Sequence, residues 1–205
     1  MPPLKLSILS ILLGLIFGLP HVYGVLKPVA FGQMMRKFPR YTPLGYLLML
    51  LGTFWFLMNL RTESVSDFIA FKPLLYGLFA AVGVGACVFV QDFLAVRGLA
   101  VVFLLLAKLM VDSARWTDSE WRLIIVTWAY LLVVAGMWFT VSPWRLRDLI
   151  DWMTATEQRT RLLSGLRVGF GLLLIILGLT TFRNAEKRDA GSAGAGPLAA
   201  LSAIR

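Results

Sequence analysis

Five ionisable side chains lie in or beside the fourth long apolar run of this sequence; they are Asp92, Arg97, Lys108, Asp112 and Arg115. Charged groups inside a bilayer are costly and often mark the path of an ion or a polar substrate. Lys108 and Asp112 are one helical turn apart, so their side chains can pair. Arg97 and Lys108 are separated by about three turns and share a helical face. The spacing therefore predicts transport or ion pairing by Arg97, Lys108 and Asp112.

A purely structural role is the alternative for these charges. Lys108 lies one turn before the predicted end of its helix at 112, so its ammonium group can reach the membrane surface along its aliphatic stem. Arg97 lies in a short turn if that helix begins later than residue 93. Neither arrangement needs a substrate, and the sequence leaves both explanations open.

Other chemistry has little support. His21 is the only histidine and Cys87 the only cysteine, so a bis-histidine haem and a Cys–His metal cluster are excluded. We interpret His21 as an interfacial hydrogen-bonding residue, and Met34 and Met35 as apolar face residues rather than metal ligands. The H-E-x-x-H, G-x-S-x-G and phosphate-binding loop signatures are absent. We predict no catalytic, cofactor-binding or metal-binding residues, and no enzyme.

The composition is that of a membrane protein. Of 205 residues, 59% are hydrophobic and 15% are charged, whereas soluble domains average about 45–50% and about 25%. The net charge of +9 comes from basic residues that flank apolar runs. We therefore expect the bilayer and its anionic lipid headgroups as partners, and no nucleic acid. The expected location is a bacterial-type inner (plasma) membrane.

Six segments have the length and apolar character of a membrane-spanning helix. They are approximately 6–26, 43–60, 73–91, 93–112, 120–141 and 163–182. The first also loosely fits a cleaved signal peptide, which is an open alternative. Residues 1–182 thus form one polytopic domain, and the Gly-, Ala- and Ser-rich residues 183–205 are expected to form a flexible tail.

The fifth segment has a capping signal at its start. Thr117 and Glu120 have the spacing of a capping box, in which each side chain satisfies an orphan amide of the first turn. Trp116 and Trp121 flank this start, as in the aromatic belt of a membrane interface.

The segment "KPVAFGQMMRKFPR" (27–40) interrupts the apolar runs. Pro28 suits the first turn of a helix and Pro39 ends it. Apolar residues follow Pro28 at offsets of 3, 6, 7 and 10, one helical face; they are Phe31, Met34, Met35 and Phe38. We predict an interfacial helix over approximately 28–38 with this face towards lipid. Arg36, Lys37 and Arg40 are the residues expected to contact lipid headgroups.

The same pattern follows Pro143 and predicts a second interfacial helix over approximately 143–158. Its apolar residues have the same four offsets; they are Leu146, Leu149, Ile150 and Met153. The next spans also align, since residues 45–56 and 171–182 agree at six of twelve positions, including two glycines seven residues apart. Both copies precede an even-numbered span, so a parallel internal repeat is predicted. The alternative is that any amphipathic helix beginning at proline shows this face.

Small residues four positions apart allow transmembrane helices to approach closely. The sequence has three such motifs: Gly14 and Gly18; Gly77, Ala81 and Gly85; Gly165 and Gly169. Each predicts either packing within the bundle or contact with a second chain.

The sequence as a whole predicts an all-α integral membrane protein, a bundle of about six transmembrane helices with two interfacial amphipathic helices. The favoured function is a non-catalytic structural, scaffold or assembly component that packs with a membrane protein partner or as a homo-oligomer. A small-solute or ion transporter or channel using the fourth span is the second hypothesis, and a membrane-embedded enzyme the third. The segments on the two sides of the membrane have nine and eight basic residues, so this count does not decide the orientation. The first loop has four cations and no acid, which favours a cytoplasmic position for both interfacial helices.

Overall fold

The structure is a computed structural model that describes residues 4–62 and 71–194, with side chains to 188. Its described residues form helices and no strand. The helices are α1 Leu6–Leu26, α2 Pro28–Lys37, α3 Thr42–Thr62, α4 Lys72–Phe89, α5 Leu94–Arg115, α6 Arg122–Val141, α7 Trp144–Met153, α8 Glu157–Leu177 and α9 Arg183–Gly194. A short 3-10 turn, Phe38–Arg40, follows α2, and a π-helical turn, Gly178–Phe182, joins α8 to α9.

Six of these helices are long and apolar enough to cross a membrane: α1, α3, α4, α5, α6, and α8 with its continuation into α9. The prediction of six apolar helices is confirmed. The last helix begins at Glu157 rather than 163, because Thr156 caps it by accepting a hydrogen bond from the Arg159 amide at 3.3 Å. The segment predicted as one helix over 143–158 is therefore divided at Thr154.

The helical backbone does not end at Phe182, where a flexible tail was predicted to begin. Residues 183–194 form α9, and 195–205 lie outside the described residues. The side chains of Phe182 and Ala185 are buried. Glu186 accepts hydrogen bonds from the amide and hydroxyl of Ser7 at 2.9 and 2.7 Å. Contacts with the start of α1 thus stabilise a segment whose own composition predicts little order.

The predicted capping box at the start of α6 is wrong. The hydroxyl of Thr117 donates backwards to the Ser113 carbonyl at 3.5 Å, and α6 begins at Arg122 without a side-chain cap. Arg122 instead donates to the Thr117 carbonyl at 2.9 Å, so a different local hydrogen bond is present in this turn.

Helix α1 packs antiparallel against α8 over most of its length. The two backbones approach so closely that a Cβ atom on Gly171 would lie 2.7 Å from the Gly14 carbonyl oxygen and 2.9 Å from the Gly18 Cα. The Ser10 hydroxyl donates to the Leu174 carbonyl at 2.6 Å in the same buried interface. Glycine at these positions therefore allows the closest contact between the first and last spans.

Helix α3 packs in parallel on α5, and α5 packs against α6. A Cβ on Gly45 would lie 2.8 Å from the Ala95 amide nitrogen, and one on Gly98 would lie 2.7 Å from that of Met49. Helix α4 lies on α3, where Gly83 fits against the Thr53 side chain. The bundle is therefore held by pairs of helices that touch at glycine.

The apolar face of α2 lies mainly against protein, which corrects the expectation that it faces lipid. Phe31 is buried, and Met35 and Phe38 pack against a cluster formed by α5, α6 and α7. Met34 differs, since 49% of its surface is exposed.

The apolar face of helix α7 also lies mainly against protein. Leu146 and Ile150 are buried in that cluster and Met153 packs against it, whereas Leu149 is 41% exposed. Both short helices thus bury the residue at offset 3, bury or partly bury those at offsets 7 and 10, and expose the residue at offset 6. The apolar face of an amphipathic helix packs against an apolar surface. Here that surface is formed by the start of α5 and the end of α6 rather than by lipid.

The two halves of the predicted repeat resemble each other only in part. The aligned glycines are close-contact sites in both spans, since Gly45 and Gly52 meet α5 while Gly171 and Gly178 meet α1. However, α5 runs parallel to α3, whereas α1 runs antiparallel to α8. The partners of the two spans are therefore not equivalent, and the internal duplication stays a prediction.

The three small-residue motifs differ in whether another helix of the described chain packs against them. Gly14 and Gly18 pack within the bundle, whereas a Cβ on Gly77, Gly165 or Gly169 would meet nothing within 4 Å. The motifs of α4 and α8 are thus not occupied by the described part of this chain.

Candidate functional site

Lys108 and Asp112 lie on a groove between α3 and α5. Lys108 Nζ is 2.7 Å from Asp112 Oδ2, so the predicted turn-spaced ion pair is present. The groove has a volume of about 700 Å³. Its lining combines apolar α3 residues with polar residues from the ends of both helices; the latter are Asn59, Thr62, Lys108, Asp112, Ser113 and Arg115.

Arg97 is not part of this groove. It lies in the first turn of α5, about 16 Å along the helix axis from Lys108. Its Nε atom is buried and has no hydrogen-bond partner among the described residues. The structure therefore does not bring together the three charges that the sequence places on one face.

Replacing Asp112 with asparagine is expected to lower the free energy of unfolding by less than about 1 kcal/mol, as for ion pairs that reach water. The Lys108 and Asp112 side chains are 43% and 49% exposed and lie near the end of α5. Equilibrium unfolding of the full chain by SDS in mixed micelles measures this change.

The matched control is Glu157→Gln in the pair with Arg161, which has the same four-residue spacing and is 57% exposed on both sides. A loss of about 3 kcal/mol or more for the Asp112 variant alone would contradict the expectation and place this pair in a low-dielectric environment.

The three residues predicted to contact headgroups lie on α2 and the turn that follows. Lys37 and Arg40 are exposed. Arg36 binds the end of α7, because it donates to the Thr154 hydroxyl at 2.9 Å and the Thr154 carbonyl at 2.7 Å, with Asp151 at 3.6 Å. Arg36 thus joins the two short helices, and headgroup contact by Lys37 and Arg40 stays a prediction.

A second polar cluster lies where α1, α7 and α8 meet. Arg167 of α8 places Nη1 3.1 Å from His21 Nε2 and Nη2 2.8 Å from the Met153 sulfur. Arg167 is not among the site residues predicted from the sequence. It is nevertheless a charge within the predicted span 163–182, and a charged residue inside a span normally has a polar partner.

The contacts of His21 determine its protonation. The Phe17 carbonyl, 2.7 Å from Nδ1, can only accept a hydrogen bond, so Nδ1 carries the proton. Arg167 can only donate, so Nε2 must present its lone pair. The imidazole is therefore neutral with both nitrogens engaged, and this arrangement ties helices together rather than offering a general base.

Groups of three or more His, Cys, Asp or Glu side chains that could hold a metal ion do not occur in the described ranges 4–62 and 71–194. The arrangement offers hydrogen bonds and fixed charge at the two ends of the bundle. No protein-family profile, curated protein or solved structure matches this chain.

Proposed function

We propose that this protein is integral to a membrane and works without catalysis, as a structural or assembly component that packs against other membrane proteins or a second copy of itself. Insertion is supported by the outward faces of the six apolar helices, where large side chains are exposed; they include Leu47, Phe54, Leu74, Phe89, Leu131 and Val141. So large an apolar surface is an aggregation hazard in water and requires no cover in hydrocarbon.

The observation that carries the assembly proposal is the uncovered small-residue face of α8. A Cβ atom added to Gly165 or Gly169 would have no neighbour within 4 Å. Both glycines lie along a shallow groove with Leu162, Leu166 and Leu173. Small residues four apart let a second helix approach to backbone contact. The equivalent motif of α1 is used in that way within the bundle.

We expect Gly165→Ile combined with Gly169→Ile to reduce association, because two side chains would fill the surface that a partner helix approaches. The measurement is native purification in mild detergent, followed by mass spectrometry of co-purifying chains. The free energy of unfolding of the isolated chain is expected to stay within about 1 kcal/mol of the unmodified protein.

A matched control is Val134→Ile on α6, where the side chain is 60% exposed and no glycine motif is present. This variant is expected to keep its partners. Repeated isolation of the unmodified chain as a monomer without partners would overturn the assembly proposal.

The proposed location is a bacterial-type inner membrane with α2 and α7 on the cytoplasmic side, where Lys37 and Arg40 meet anionic headgroups. The excess of positive charge in the loop after α1 supports this orientation. Reporter fusions at Arg40 and at the C-terminus test it, and a periplasmic Arg40 would reverse it.

The second candidate is a small-solute or ion transporter or channel, favoured by the charged end of the α3–α5 groove. Neutralising Lys108 or Asp112 would then abolish uptake while protein abundance stays normal. A fall in abundance alone would assign these charges to structure.

A further inference from the structure

Arg167 carries a positive charge inside the bundle. It lies about 15 Å along α8 from the start of that helix at Glu157. The two partners of its guanidinium are the imidazole of His21 and the thioether of Met153, and both are neutral. The ion pairs among the described residues join other side chains. The described part of the chain therefore leaves this charge uncompensated, which is unfavourable away from water.

The guanidinium of Arg167 also has more donors than its two partners can use. An arginine side chain has five N–H hydrogens and no acceptor. One contact is with His21 Nε2 at 3.1 Å and the other with the Met153 sulfur at 2.8 Å, and a thioether is a weak acceptor. An anion would accept from the remaining hydrogens and supply the missing charge, whereas a water molecule would supply no charge.

A small cavity lies beside Arg167. Its volume is about 30 Å³, close to the volume of one molecule in liquid water. Thr160 and Ser164 of α8 line it and are only 4% and 1% exposed. The Thr160 hydroxyl donates to the Thr156 carbonyl, whereas that of Ser164 is able to donate into the cavity. This space suits one monatomic ion and is too small for a phosphate or a lipid headgroup.

A wider cleft of about 250 Å³ adjoins this cavity on the side of α2. Thr154 and Thr160 line both spaces. The cleft also has one cation and one acid, Arg36 and Glu157, and each forms an exposed ion pair. These charges are therefore compensated and would not hold an ion in the cleft. A small ion can reach Arg167 from water through this polar entrance.

We propose that the cavity beside Arg167 binds one monatomic anion of the size of chloride, held by the guanidinium of Arg167 and the hydroxyl of Ser164. The ion neutralises Arg167 and thereby supports the packing of α1, α7 and α8 around it. The proposal goes beyond assembly with a partner and does not rest on it. If the chain purifies as a monomer without partners but still binds chloride, assembly fails and this inference stands.

The test is a chloride titration of the full chain in mild detergent, with gluconate replacing chloride so that the ionic strength and its screening stay constant. The line width of the chloride NMR signal reports the bound ion. We expect saturable broadening that bromide reverses by competition. Arg167→Gln is expected to bind chloride about thirtyfold more weakly, equivalent to about 2 kcal/mol for a hydrogen bond that involves charged groups.

Arg161→Gln is the matched control, since it removes an exposed cation from the same helix, and it is expected to leave chloride binding unchanged. Ser164→Ala keeps the charge of Arg167 and is expected to bind chloride about tenfold more weakly. The absence of broadening would assign the cavity to water and overturn the proposal. Equal broadening by the unmodified chain and by Arg167→Gln would overturn it as well.

The unfolding transition gives a measurement that does not depend on the Arg167 variant folding. A ligand of the folded state stabilises it, so the SDS concentration at the midpoint of unfolding is expected to rise as chloride replaces gluconate. Ser164→Ala should need about ten times as much chloride for the same rise. A midpoint of the unmodified chain that is the same in both salts would contradict the proposal.

Discussion

Replacing Gly171 with alanine is expected to lower the free energy of unfolding by about 3 kcal/mol, the upper part of the range for overpacked interiors. The added Cβ would lie 2.7 Å from the Gly14 carbonyl oxygen and 2.9 Å from the Gly18 Cα. Both are backbone atoms, so no side chain can rotate away and the two helices must separate. SDS unfolding of the full chain in mixed micelles measures the change.

The matched control is Gly169→Ala, two residues away on the same helix, where the added methyl group meets nothing within 4 Å. Alanine favours a helix over glycine by about 1 kcal/mol, so this variant is expected to be neutral or stabilising. Equal effects of the two substitutions would show that helix propensity, rather than the α1–α8 contact, decides stability.

Replacing Arg167 with methionine is expected to cost about 1.5–3 kcal/mol, the range for hydrogen bonds that involve a charged group. The substitution removes the donor to His21 Nε2 and the contact with the Met153 sulfur, and with them a tie between α1, α7 and α8. Methionine keeps most of the aliphatic volume, so the loss reports the polar contacts.

Arg161→Met is the control for this variant. Arg161 lies on the same helix, but its side chain is 57% exposed and forms an exposed ion pair with Glu157, so a loss below about 1 kcal/mol is expected. A double-mutant cycle of Arg167→Met with His21→Phe measures the coupling directly. Additive effects in that cycle would contradict the contact between the two side chains.

The six apolar helices and the two short helices between them were predictable because their signals are local. The length of an apolar run and the position of Pro28 or Pro39 act within one segment, whatever lies beside it. The ion pair between Lys108 and Asp112 was predictable for the same reason, since both residues belong to one turn of helix.

Only one part of the polar cluster around Arg167 was predictable from the sequence. A charge at Arg167 within an apolar segment is visible without a structure, and it indicates that a partner is needed. Its partner His21 lies 146 residues away, and no pattern of spacing joins them. Only the antiparallel packing of α1 on α8 brings the two side chains together.

Local signals in the sequence predict an all-helical chain with six runs able to cross a membrane and two short helices that begin at proline. The tertiary structure decided which face of each helix is covered. Gly14 and Gly18 have the same spacing as Gly165 and Gly169, yet only the first pair packs inside. Spacing shows that a helix can be approached closely, and only the arrangement of the other helices determines what approaches it.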